Sequence, residues 1–173
     1  MKTQILDDFL DYSDFKKLEE QVMGFLFPWN YYEGIVLPDD GKYQFTHCFY
    51  NEYEPRSQYW PLVQPVFKSL GASSVLRCKA NLLHRTSEIQ VNDFHTDYPN
   101  CITAILYMST NNGYTIFRDG TKIDSISNRL VVFDSNLEHA GTTCTDLNRR
   151  VVINFNYNIF EGCLLYTSDA ADD

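Results

Sequence analysis

Residues 128–157 read NRLVVFDSNLEHAGTTCTDLNRRVVINFNY, and the order of residue types in this stretch decides the fold. Leu130 to Phe133 is a short apolar run followed by a polar turn, the pattern of a buried strand. His139 comes after that turn, ahead of Ala140 and Gly141, where a strand end can present a ligand. The segment RRVVINFNY then alternates with period two: Arg150, Val152, Asn154 and Asn156 share one face, and Arg149, Val151, Ile153 and Phe155 share the other. One arginine of the pair must point inward. A guanidinium is a rigid fork of donors that fits a carboxylate, so an inward arginine in a β-walled pocket implies an arriving anion. Arg150 is the choice because its face is the more polar; Arg149 is the alternative.

Upstream, NDFHTDYPN places His95 and Asp97 two apart, so both project to one side of an extended segment. An HxD pair alone is common by chance and describes a surface turn. Followed by a histidine 44 residues later and an arginine at the start of the next strand, it is far more specific. Two imidazoles and one carboxylate on one face of a metal leave three coordination positions open, which suits ferrous iron that must bind a chelating co-substrate and oxygen.

The other elements follow from periodicity. Phe15, Leu18, Val22, Phe25 and Leu26 recur at helical spacing and predict a helix over Ser13 to Phe27, capped by Asp11 or Ser13 and ending before Pro28. A second helix is expected from about Ser57 to Leu70, with Pro61 in its first turn, Gly71 as its stop and Pro65 as a point of bending. After Gly71 the chain turns β-rich: Ser74 to Leu83, Ile102 to Ser109, Tyr114 to Phe117, Leu130 to Asp134 and Val151 to Tyr157 read as strands separated by turn residues, NNGYT among them. The expected architecture is mainly β, a sandwich or short barrel fronted by two N-terminal helices. One domain over 1–162 is expected, helical to about residue 73 and β from about 74 to 160. His47 and His84 bear no spacing relation to the triad and read as structural, and the aromatic cluster FLFPWNYYEG reads as packing.

The motifs FHTDYPN, CITAILYMS, NRLVVFDSNLEHAG and RRVVINFNY resemble those of the 2-oxoglutarate and iron(II)-dependent dioxygenase superfamily. The likeness spans about Ser74 to Tyr157 and is to the prolyl-hydroxylase-like branch, including short versions from phages and marine bacteria. It implies a double-stranded β-helix of eight core strands, a jelly-roll. It also implies that His95, Asp97 and His139 are the iron ligands and catalytic centre, and that Arg150 holds the C5 carboxylate of 2-oxoglutarate. Tyr107 stands where oxygen-sensing prolyl hydroxylases place a tyrosine supporting that carboxylate. Asn81 is a further inward-facing candidate, and Asn154 and Asn156 would bring two amides near the iron. The implied reaction consumes O2, takes ascorbate as a stimulant, releases succinate and CO2, and hydroxylates a peptidyl proline or another protein side chain. A free amino acid or small metabolite is the alternative substrate, and a catalytically silent metal-binding β-helix the alternative class.

Composition bounds the rest. With 14 Lys and Arg against 23 Asp and Glu the chain carries a formal charge of -9, and no basic run exceeds a pair, so a nucleic-acid partner is disfavoured. No signal-peptide pattern and no run of eighteen apolar residues is present, so a membrane is not expected and a cytoplasmic location is. Cys163 to Asp173, CLLYTSDAADD, reads as a translated sequencing adapter; setting it aside removes three aspartates, leaves the charge at -6 and implies that the native C-terminus beyond about Gly162 is missing. Of the remaining cysteines, Cys48, Cys78, Cys101 and Cys144 are expected as free thiols.

Overall fold

The computed structural model describes residues 2–38 and 40–160, so the expected tail at 163–173 lies outside the described residues. The element order is β1 (Gln4–Leu6), α1 (Tyr12–Val22), β2 (Asn30–Glu33), β3 (Tyr43–Asn51), β4 (Glu54–Pro55), α2 (Trp60–Ser69), β5 (Ser74–His84), β6 (Ile102–Tyr107), β7 (Tyr114–Phe117), β8 (Lys122–Asp124), β9 (Leu130–Asp134), β10 (His139–Gly141) and β11 (Arg149–Asn158). Every pairing is antiparallel. The major sheet runs β1-β9-β6-β11-β5-β3-β2, with β4 on β3, and the minor sheet runs β10-β7-β8. This is the expected jelly-roll. Seven of the eight core strands are β5 to β11; the eighth is residues 91–95, attached by single bridges at Val91↔Thr142 and His95↔His139.

The period-two alternation of β11 sorts the two faces of the major sheet. Val151, Ile153 and Phe155 pack outward with Cys78, Ala80 and Leu82 of β5 against the buried faces of the two helices, Phe15, Leu18 and Val22 of α1 and Val63, Val66 and Phe67 of α2. Truncating Phe155 there would cost about 3–5 kcal/mol. The inner face is different. Ile105, Tyr107, Phe117, Ile123, Val131, Phe133 and Val152 form a smaller core that closes the sandwich at its β6 and β9 side, and the β11, β5 and β3 side stays open.

Residues 1–73 are not purely helical. β1, β2 and β3 extend the major sheet at both edges. The long strand β3 escapes a periodicity reading because its inward positions, Gln44, Thr46 and Cys48, are polar or small and its outward set includes His47 beside Phe45 and Phe49; a bulge between Cys48 and Tyr50 shifts the alternation further. α1 stops at Val22, not Phe27. Gly24 breaks it, and Phe25 and Leu26 are left 99% and 85% exposed. Asp11 stands at its N-terminus without a side-chain cap bond. α2 keeps Pro65 in its interior and ends where Gly71 takes φ 63°, a left-handed conformation that needs glycine. The four cysteines among the described residues, Cys48, Cys78, Cys101 and Cys144, are free.

Candidate active site

His95 and His139 face each other across the bridge between the eighth strand and β10, with ring centroids 4.7 Å apart. Each ring is held by its own Nδ1, which lies 3.3 Å from the Asp93 carbonyl in His95 and 3.1 Å from the Leu137 carbonyl in His139. A carbonyl can only accept, so both Nδ1 atoms carry hydrogen and both Nε2 lone pairs are free to bind a metal. Asp97 completes the group: one donor atom from each residue lies within 4.8 Å of the others, and His139 Nε2 is 3.9 Å from Asp97 Oδ2. Two neutral imidazoles and a carboxylate fit ferrous iron.

The Asp97 carboxylate is fixed from behind. Arg77 Nη2 donates to Oδ1 at 2.9 Å and Thr103 Oγ1 to Oδ2 at 3.1 Å. Asn156 ties these two together, accepting from Arg77 Nε at 3.0 Å and donating to Thr103 Oγ1 at 3.0 Å. Burial pushes the Asp97 carboxyl upward, but Arg77, the two imidazoles and Asn156 outweigh it and hold it below its ordinary value. Burial lowers the His139 imidazole, against the opposing pull of Asp97, which favours the neutral ligand form.

Arg150 lies in the same cavity, an open cleft of about 490 Å³ that also meets His95, Asp97 and His139. It is 3% exposed. Its Nε donates to Ser125 Oγ at 2.9 Å and its Nη2 to Thr115 Oγ1 at 3.4 Å. Both partners are neutral, and no carboxylate of the described residues pairs with it. Gly113 makes room for it, since a Cβ there would sit 2.6 Å from Arg150 Cδ and 2.8 Å from the Thr143 carbonyl. Arg149 goes to the other face and donates to the Met23 carbonyl at the end of α1.

The remaining sequence candidates divide. Asn81 and Asn154 line the cavity, and each has a buried amide oxygen without a partner. Tyr107 is fully buried behind the wall; its hydroxyl donates to Thr115 at 2.8 Å and its ring lies 5.6 Å from the Arg150 guanidinium. It therefore supports Arg150 and Thr115 from beneath. His47 bridges the Pro28 carbonyl and Ser57 Oγ, each at 2.8 Å, and His84 stacks on Tyr43, both away from the triad. Sequence reading missed Arg77, Lys79, Thr103, Thr115 and Ser125. The signal for two of them was present: in RCKANLL the residues Arg77, Lys79 and Asn81 share one face while Cys78, Ala80 and Leu82 share an apolar one.

No family model and no curated protein sequence matches the chain. Solved structures do. A 2OG-Fe(II) oxygenase family oxidoreductase from Burkholderia pseudomallei superposes with a TM-score of 0.68 at 10% identity, over 90% of this chain and 85% of that one. A Trichoplax adhaerens prolyl hydroxylase in complex with a hypoxia inducible factor peptide fragment gives 0.64 at 16% identity, over 90% and 83%. A Pseudomonas putida prolyl-4-hydroxylase gives 0.58 at 13% identity, over 90% and 92%. Identities this low speak for fold rather than for function, and the chain has the mainly β jelly-roll fold of the 2OG-Fe(II) oxygenases and prolyl hydroxylases.

Proposed function

We propose that the protein is a 2-oxoglutarate- and iron(II)-dependent dioxygenase that converts a substrate C–H bond to C–OH while 2-oxoglutarate and O2 become succinate and CO2. The observation that carries this reading is Arg150, a buried guanidinium without a counter-ion among the described residues, in one cavity with two imidazoles and a carboxylate. Such a charge is costly unless an anion meets it. Iron, when bound with the co-substrate, supplies the oxidising chemistry. The chain's own residues do the rest. His95 and His139 offer Nε2, Asp97 offers a lone pair on a carboxylate oriented by Arg77 and Thr103, and Arg150 takes the C5 carboxylate with Ser125 and Thr115 fixing its fork. Ile105 and Val152 give the space between them an apolar wall that limits water.

The substrate reading extends to a peptidyl proline or another protein side chain, supported by the peptide held by the Trichoplax prolyl hydroxylase; a free amino acid or small metabolite is the alternative. Incubation with Fe(II), ascorbate and 2-oxoglutarate is expected to release succinate above a metal-free control. No release from folded, iron-loaded protein would defeat the proposal.

A further inference from the structure

Arg77, Lys79 and Arg150 all line one cavity of a protein with only 14 Lys and Arg against 23 acids. Arg77 is ion-paired with Asp97, and Arg150 awaits the co-substrate. Lys79 has neither an ion pair nor a hydrogen bond among the described residues. Burial pushes its ammonium below the ordinary value and neighbouring Arg77 adds to this, with Asp97 pulling the other way; no carboxylate of the described residues pairs with it. An Fe(II) ion, Asp97, dianionic 2-oxoglutarate and Arg150 are together neutral, which leaves the positive charge of Arg77 and Lys79 in excess.

Strand order sets Lys79 apart from Arg150. Arg150, on β11, leans toward Tyr107 of β6, Thr115 of β7 and Ser125 beyond β8. Lys79 is on β5, the opposite neighbour of β11. The cavity wall on that flank is completed by Gln44 of β3 and by Tyr32, Ile35 and Val36. Asn154, paired in register with Lys79, and Asn81, two residues along β5, each hold a buried acceptor without a donor among the described residues.

Resting on the oxygenase reading above, we propose that the primary substrate carries a carboxylate and that Lys79 binds it on the β5 flank, with the amides of Asn81 and Asn154 accepting from the substrate's N–H or O–H groups. A neutral prolyl ring in an uncharged peptide gives Lys79 no partner. A free amino acid, or a peptide with an acidic residue beside the target, does.

The test measures succinate release by the iron-loaded protein with the free L-amino acids, their carboxamides, and proline peptides carrying Glu or Gln beside the proline. At least one carboxylate-bearing probe is expected to raise release above the substrate-free rate while its neutral counterpart does not, and the arm that responds identifies the source of the carboxylate. Lys79→Met should raise KM for that probe by about tenfold or more, with partial recovery in Lys79→Arg. Calorimetric titration of the Zn(II)- and 2-oxoglutarate-loaded protein with the same probe should show the same factor in Kd without turnover. Three results overturn the assignment: no response to any carboxylate, equal response to the neutral counterparts, or a loss of 2-oxoglutarate affinity in Lys79→Met as large as the loss for the probe. Absence of substrate-free succinate release counts instead against the oxygenase reading.

Discussion

In the proposed function Arg150 is a pure binding group, since it would meet the far end of the co-substrate and not the bond that breaks. Truncating one side of a buried charge-assisted pair costs roughly 2–5 kcal/mol, so Arg150→Ala is expected to raise the Kd for 2-oxoglutarate by about thirtyfold or more. Arg150→Lys should recover part, because an ammonium restores charge without the fork. Arg149→Ala should leave the affinity close to the parent value, given its bond to the Met23 carbonyl on the other face. Anaerobic titration of the visible band of the iron and 2-oxoglutarate chelate reads all three; a loss confined to Arg149→Ala would reverse the assignment. Gly113→Ala should act on the same affinity from a distance, because its Cβ meets Arg150 Cδ at 2.6 Å with backbone behind it. Unchanged binding in that variant would show that Arg150 can be displaced at no cost. At this scale the sequence disclosed ligands more readily than their supports. The triad and Arg150 belong to short local patterns, whereas Ser125 and Thr115 meet Arg150 across 25 and 35 residues, and hydroxyls carry no pattern that announces such a partner.

Among the elements, β3 shows how a strand can be hidden and what it contributes once found. It sets His47 among Phe27, Phe49 and Tyr59 with both ring nitrogens engaged, and burial lowers its folded pKa despite the Pro28 carbonyl, which favours the charged form. The unfolded chain then takes up a proton near pH 6.5 while the folded one still resists. The stability that His47 contributes is therefore complete above that pH and declines as pH falls toward the lowered folded value. Thermal melting of the parent is expected to drop more steeply than that of His47→Gln between about pH 7 and pH 5. Parallel curves would remove His47 from the account. β5 teaches the complementary lesson. The inward reading of Asn81 extends by period two to Lys79 and Arg77, so its polar face was available in the sequence. What could not be read was the neighbour on each side, because β11 and β3 reach β5 from 67 and 31 residues away at the Arg150↔Leu83 and Cys48↔Lys79 pairs.

At the scale of the molecule, the jelly-roll was legible because five of its core strands have clear boundaries, while the edge strands β1 and β2 were not, being four residues or fewer and exposed throughout. The triad joins separate parts of the sandwich: His139 comes from the minor sheet, His95 from the end of the weakly attached eighth strand and Asp97 from just beyond it, with Arg77 of the major sheet behind them. A bound metal should therefore stabilise the whole fold, by about 2.7 kcal/mol at a ligand concentration one hundred times Kd. Mn(II) with 2-oxoglutarate is expected to raise the melting temperature, EDTA to reverse the rise, and Asp97→Ala to abolish it; a rise that survives in Asp97→Ala would place the metal elsewhere. The thin attachment of residues 91–97 carries a consequence for the protein's life in a cell. With two isolated bridges and scattered backbone bonds to residues 139–143 in place of a continuous ladder, this segment would be a natural place for local opening when metal is withdrawn, and so for the first cut by a protease. On the proposed function, iron supply would then set how long each molecule survives as well as how fast it works, and a cell short of iron would clear the idle copies first.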